Sequence, residues 1–245
     1  WSIPYGFASP TSWVAMFTRR WMHETGATRE QLGAVALVSR ENAVKNPRAI
    51  FYNRPMTMDD YLASPMLCDP FKLHDTCLEN DGAVAVIVTT PERAKDLRHT
   101  PAYITGVGEG TGWDSYCMTS VYRPQLGIPE MTEAGKEMWR MAEMTPKDIQ
   151  MAQFYDAFTS LVPMQMEALG FCKVGEGGAF CEGGDRIRPD GELPINTSGG
   201  MLSESYIHGM NMIAEAVRQL RGTAITQIEG VENTLVTGGL GVPTS

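Results

Sequence analysis

The sequence predicts an α/β fold of layered helices and strands, and three observations lead there. Apolar stripes at helical spacing alternate with short runs rich in Val and Ile. Glycines stop the stripes and prolines stand where helices begin. No tandem repeat at a period of about 20–50 residues is visible, and no Gly/Ser linker or charge run splits the chain.

Residues 9–26 read as a helix, with Pro10 near its start, Trp13, Met16, Phe17 and Trp21 as its apolar stripe, and Gly26 as its stop. Thr28-Arg-Glu-Gln31 resembles a capping box before a short helix, and residues 34–38 read as a strand. Residues 40–70 carry Asn46-Pro47, Arg54-Pro55, Ser64-Pro65 and Asp69-Pro70. A residue before proline is pushed out of the helical region, so this stretch reads as an extended excursion pinned by local turns. Asn80-Asp81-Gly82 is a turn signal, and residues 83–88 follow as a buried strand. Thr90-Pro91 opens a helix.

Residues 102–107 read as a strand ended by Gly106-Val-Gly108-Glu-Gly110. Residues 132–142 form an amphipathic helix, and Thr145-Pro146 starts a second, short one. A strand over 149–154 precedes a helix over 158–169 with a Met-rich face, stopped by Gly170. Residues 175–191 are a glycine-rich loop, 193–197 a short strand, and 209–220 a helix stopped by Gly222. Residues 223–230 and 233–236 read as antiparallel strands.

The chain has 245 residues, 43% of them hydrophobic and 20% charged, which is globular composition. With 20 Lys+Arg against 29 Asp+Glu the net charge is −9, which argues against a groove for nucleic-acid phosphates. No apolar stretch approaches the roughly 18 residues of a membrane helix, and no secretory signal is visible, so a cytoplasmic protein is expected. Cys68, Cys77, Cys117, Cys172 and Cys181 form no C-x-x-C pair, and His23, His74, His99 and His208 are scattered. Free thiols in a reducing compartment and no metal are expected. Trp1 begins the chain inside what reads as a helix-bearing segment, so part of a fold is expected upstream.

Four places offer chemistry. The run Gly106-Val-Gly108-Glu-Gly110-Thr-Gly112 follows a strand, but lacks the spacing of a dinucleotide fingerprint and the Lys of a P-loop. It is a phosphate cradle or a plain turn. Tyr155-Asp156 stands between a strand and a helix, where open α/β sheets bind ligands. A surface phenol and an N-cap Asp explain the pair equally well. The stretch 196–209 is the densest polar and glycine run, holding Ser205, Tyr206 and His208. Thr237-Gly-Gly-Leu-Gly241 follows a strand and can turn N–H groups towards an anion or enolate, or simply make a hairpin.

Five stretches then form a set: Asn80-Asp-Gly-Ala-Val-Ala-Val-Ile-Val, Phe154-Tyr-Asp-Ala-Phe-Thr159, the run from Leu169 to Gly178, Leu193-Pro-Ile-Asn-Thr-Ser-Gly-Gly200, and the run from Gly209 to Gly222. Over nearly the whole chain the sequence resembles the thiolase superfamily, in its lipid-transfer or sterol-carrier-protein branch. The resemblance implies a thiolase-like fold of two similar halves in α/β/α/β/α layers, a dimer, and acyl-CoA substrates. Residues 1–100 would be the remainder of the first half, incomplete in this chain, and 101–245 the second half. The family's nucleophilic cysteine would lie upstream of Trp1.

The sequence departs from that family where its chemistry sits. Thiolases carry Asn or His at Tyr155, Gly-His at Ser205-Tyr206, and Cys-x-Gly at Gly239-Leu240-Gly241. His208 is displaced by two positions from the family's histidine. Two phenols in place of two catalytic groups resemble the steroid side-chain aldolases. Those cleave a 17-hydroxy-steroid-20-carboxyl-CoA to a 17-ketosteroid and propionyl-CoA, alongside a small partner of zinc-ribbon and OB-fold type. A retro-aldol needs a base for the tertiary alcohol, donors for the enolate and an acid for its carbon, but no acyl-cysteine.

The resemblance therefore implies acid/base roles for Tyr155 and Tyr206. Asp156 would orient Tyr155 or cap the helix. Ser205, His208, Gly239 and Gly241 would line the substrate, with backbone N–H groups on the thioester oxygen. Coenzyme A enters as part of the substrate, and no other cofactor is expected. A sterol-carrier-type thiolase and a non-catalytic acyl-CoA or lipid-binding subunit are the alternatives.

Overall fold

Local capping signals start the first four α-helices. A computed structural model describes residues 3–111 and 124–239. Helix α1, Pro10–Thr25, begins after Ser9, which shares a reciprocal capping box with Ser12, and ends at left-handed Gly26. Helix α2, Arg29–Lys45, begins on the Thr28–Gln31 box. It runs straight through residues 34–38, which are helix and not strand. The Ala-, Leu-, Glu- and Arg-rich surroundings favour helix, and Leu32, Val35 and Val38 recur at helical spacing. Buried almost along its length, α2 is a central support of the fold.

The proline-rich excursion holds helix α3, Met58–Ala63, and a hairpin of strands β1, Met66–Cys68, and β2, Phe71–Lys72. Its anchorage is tertiary as well as local. The buried Asp75 carboxylate accepts the Tyr61 hydroxyl at 2.7 Å and the Thr159 hydroxyl at 2.5 Å on Oδ1, and the Lys72 N–H at 2.7 Å on Oδ2. The Thr159 N–H also donates to the Asp75 carbonyl. One carboxylate thus ties the excursion to the centre of the chain.

Two expected strands are absent among the described residues. Residues 83–88 pair with nothing in either sheet, and Ile87 is 89% exposed. Residues 102–107 are extended but unpaired, with Ile104 exposed. A strand needs a neighbour's N–H and C=O groups, which composition alone does not supply. Helix α4, Pro91–Ala94, lies between them.

The run from Gly106 to Gly110 has a packing role instead. Its alternate glycines face helix α5, Pro129–Ala142. A Cβ on Gly106 would lie 2.6 Å from the Met138 carbonyl oxygen, and one on Gly108 or Gly110 would collide with the carbonyls of Ala134 or Glu130. The glycines let an extended segment lie directly on a helix backbone.

Helix α5 packs on α6, Leu161–Leu169. The glycine-rich loop contains a short helix, α7, Gly177–Cys181. It is fastened by buried Glu167, which accepts the Gly177 N–H at 2.9 Å and the Trp21 indole N–H at 3.2 Å.

Strand β3, Met151–Gln153, pairs in parallel with β4, Thr234–Val236, in the register Ala152 with Leu235. On its other side Ala152 bridges Ile195, also in parallel. The expected antiparallel pair at 223–236 is therefore corrected: residues 223–230 form no strand, and β4 pairs with β3. Helix α8, Met210–Leu220, carries the chain between Ile195 and β4, and such helical crossovers produce parallel neighbours. The largest core gathers Val35 and Val38 of α2, Ala152 of β3, Val162 and Met166 of α6, and Ile195.

Gly108→Ala should destabilise the full-length polypeptide by about 1–3 kcal/mol or more, because the methyl group meets a helix carbonyl. Gly238→Ala, with open space at its Cβ position, should stay within about 0.5 kcal/mol. Urea midpoints of the two variants measure the difference.

Candidate functional site

Beyond β3 the chain loses its strand neighbours, and side chains take over their hydrogen bonds. Asn196 accepts the Phe154 N–H on Oδ1 at 2.8 Å and donates from Nδ2 to the Phe154 carbonyl at 3.0 Å. It does so from a left-handed backbone, φ 44°, a conformation Asn tolerates. The Thr237 hydroxyl accepts the Tyr155 N–H at 2.8 Å and donates to Gln165 Oε1 at 2.5 Å. Gln165 Nε2 in turn donates to the Tyr155 carbonyl at 2.8 Å. Both backbone polar groups of Tyr155 are thereby satisfied out of water, and its ring lies against Gly209.

Asp156 is fully buried. It is not the cap of α6, whose N-cap is Ser160. Its carboxylate accepts the Met201 N–H at 2.8 Å and the Leu202 N–H at 3.5 Å. Those residues lie in a π-helical turn, Gly200–Glu204, and a Cβ on Gly200 would collide with the Asp156 carboxylate. Glu204 at the other end of the turn accepts from the Ser198 hydroxyl at 2.6 Å and from Asn211 Nδ2 at 3.1 Å.

The turn delivers half-buried Ser205 and Tyr206. Asn80 Oδ1 accepts the Tyr206 N–H at 2.8 Å. The same segment donates Cys77 N–H to the Ala157 carbonyl and Leu78 N–H to the Met201 carbonyl. Residues 77–80 thus bridge the two tyrosine-bearing segments.

These supports bring the two phenols together. Tyr155 Oη lies 3.0 Å from Tyr206 Oη. Tyr206 Oη also lies 3.4 Å from Nδ1 of exposed His208, and the two rings are 4.6 Å apart. Burial, then the bond to Tyr206, pushes the Tyr155 phenol above its ordinary range. Burial raises Tyr206 as well. The Cys77 thiol is pushed up to about 12, by burial first and then by Asp156. Burial lifts the Asp156 carboxyl to about 7, against the opposing hydrogen bonds from Met201, Asn196 and Leu202. The centre is a set of neutral hydroxyls suited to donating and relaying protons.

Of the residues expected at the site, Tyr155, Tyr206 and His208 form one hydrogen-bonded series, and Asp156 and Ser205 lie beside it in the chain. Gly239 is exposed with φ 71°, two residues beyond Thr237, and Gly241 lies outside the described residues. Among the described residues no group of three or more His, Cys, Asp or Glu is arranged to hold a metal. Sequence reading missed Asn80, Thr237, Gln165 and Asn196 as supports. Asn80 looked like a plain turn residue. Only their position within polar, glycine-bearing runs hinted at more.

Residues 113–245 match the thiolase C-terminal domain-like family. The chain is 50% identical to a steroid side-chain-cleaving aldolase of Thermomonospora curvata, over all of this chain and 63% of that one. It is 49% identical to the 17-hydroxy-3-oxo-4-pregnene-20-carboxyl-CoA lyase of Mycobacterium tuberculosis, again over all of this chain and 63% of the relative. The chain therefore spans less than two thirds of these relatives. The structure of an Ltp2-ChsH2(DUF35) aldolase superposes with a TM-score of 0.96 at 49% identity, covering 99% of this chain and 64% of that one.

The raised Asp156 carboxyl has a consequence for stability. The folded state holds this proton more tightly than the unfolded chain does. Its stabilising contribution is complete below about pH 4 and is lost as pH rises through about 7, on the order of 4 kcal/mol in all. Asp156→Asn keeps an acceptor for the Met201 N–H and should flatten that part of the curve. Urea unfolding of both proteins between about pH 4 and 8 measures it, and an unchanged slope would refute the assignment.

Proposed function

The chain belongs to the thiolase superfamily and has its α/β fold, and from that premise we propose that it carries the acid–base centre of an aldolase. The aldolase cleaves a 17-hydroxy-steroid side-chain acyl-CoA to a 17-ketosteroid and propionyl-CoA. The observation that carries this reading is the 3.0 Å contact between the Tyr155 and Tyr206 hydroxyls. The likeness to two relatives named for this kind of cleavage supports it.

The phenol pair removes the proton of the tertiary alcohol. The bond between the hydroxyl-bearing ring carbon and the side-chain carbon α to the thioester then breaks. Its electrons pass to the α-carbon, leaving a ketone and a thioester enolate. Backbone N–H groups around Gly239 hold the enolate oxygen. The enolate carbon takes a proton back and leaves as propionyl-CoA. No acyl-cysteine forms, and the thioester is the substrate's own, so no separate cofactor takes part. Ser205 lines the substrate, while Asp156 positions Tyr206 by holding the turn that precedes it.

In the same reading, residues 1–100 belong to the first thiolase half and 101–245 to the second. The subunit forms a homodimer and works with a small zinc-ribbon and OB-fold partner. The Ltp2-ChsH2(DUF35) relative supports a partner protein. The enzyme acts in the cytoplasm, with Cys68, Cys77, Cys172 and Cys181 as free thiols. Among the described residues, no helix is long and apolar enough to cross a membrane.

Full-length polypeptide, with its partner, should release propionyl-CoA from a 17-hydroxy-steroid acyl-CoA, detected by mass spectrometry. Tyr155→Phe and Tyr206→Phe should each lower kcat by about 100-fold or more with folding intact. Full activity in both variants would sink the reading. Thiolysis by free CoA through a trapped acyl-cysteine would indicate a thiolase instead. Tight binding without turnover would indicate a carrier.

A further inference from the structure

The phenol pair has a third member. Tyr206 Oη contacts both Tyr155 Oη at 3.0 Å and His208 Nδ1 at 3.4 Å, so the three side chains form a series that passes from buried to half-buried to exposed. We propose that His208 is the outer end of a proton relay: it takes the substrate proton through Tyr155 and Tyr206 and returns it to the enolate. This deepens the aldolase reading and rests on it.

The geometry is built for this contact. The backbone of His208 is left-handed, φ 46°, an uncommon conformation for a residue other than glycine. It folds the imidazole back over the Tyr206 ring, with centroids 4.6 Å apart. The Tyr206 backbone N–H donates to the Asn80 side chain and the Tyr155 backbone N–H to the Thr237 hydroxyl. The backbone that carries each phenol is therefore held while the exposed imidazole reaches the Tyr206 hydroxyl.

The chemistry calls for such a group. Among the described residues, and besides one another and His208, the titratable groups facing the phenols are Cys77 and Asp156. The Cys77 thiol is pushed up to about 12 by burial, and the phenols lie above their ordinary range, so all three are neutral near pH 7 and poor bases. Asp156 is occupied with the Met201 N–H. An imidazole has one ring nitrogen that accepts and one that donates, so it can both take up and return a proton.

The proton count closes. Neutral His208 offers the Nδ1 lone pair to Tyr206. The alcohol passes its proton to Tyr155 Oη, Tyr155 passes its own to Tyr206, and Tyr206 passes its own to Nδ1. The carbon–carbon bond electrons move to the α-carbon, so the imidazolium charge balances the enolate charge. Reverse passage delivers one proton to that carbon. Propionyl-CoA leaves, and all three side chains are restored without any further reactant.

His208→Asn tests the relay, because Asn tolerates the left-handed backbone yet cannot titrate. In full-length polypeptide with its partner, kcat should fall about 10-fold or more with KM nearly unchanged. The acid limb of the kcat profile should disappear, and added imidazole should restore both. Unchanged kcat, or an acid limb that persists and so belongs to Asp156, would overturn the relay while leaving the cleavage reading intact.

A second measurement needs no substrate. The Tyr206 Cζ carbon resonance should move as pH crosses about 5 to 8, and should stay still in His208→Asn. A Tyr206 resonance that ignores this range in the unsubstituted protein would also overturn the relay. Absence of any cleavage by the unsubstituted protein would instead count against the aldolase reading.

Discussion

The site depends on one buried contact, between the Asp156 carboxylate and the N–H groups of the turn Gly200–Glu204. A carboxyl out of water needs donors, and a π-helical turn leaves backbone donors that need acceptors. Each satisfies the other. Gly200 makes the approach possible, since any side chain there would occupy the space of the carboxylate. Through this contact the segment carrying Tyr155 fixes the segment carrying Tyr206.

The same logic repeats around the phenols. Asn196 stands in for a strand neighbour at Phe154, Thr237 and Gln165 close the polar groups of Tyr155, and Asn80 closes that of Tyr206. Asn196, Thr237 and Gln165 substitute side-chain hydrogen bonds for ladder bonds beyond β3, and Asn80 does the same service after the π-helical turn. The polar network is extensive because the chain must leave its strands to present side chains at their carboxyl ends.

Burial sets the chemistry that follows. Desolvation keeps the two phenols and the Cys77 thiol neutral, which favours hydrogen-bond donation and relay over attack as an anion.

Several features were legible in the sequence because their cause is local. The helix start at Pro10, the capping box at Thr28, the glycine stops at Gly26 and Gly170, and a strand within 149–154, observed over Met151–Gln153, followed from residues within a few positions of one another. Tyr155 and Tyr206 stood out by their departure from the family's pattern. The strands expected at 83–88 and 102–107 did not form among the described residues, because strand pairing is a property of neighbours. The parallel pairing of β4, the service of Gly108 as a seat for α5, and the contact of His208 with Tyr206 joined residues through space. The sequence by itself determined which residues bear chemistry and where helices α1, α2 and α4 begin. Only the tertiary structure decided which of them meet, because hydrogen bonds reaching across the chain set the distance between the phenols.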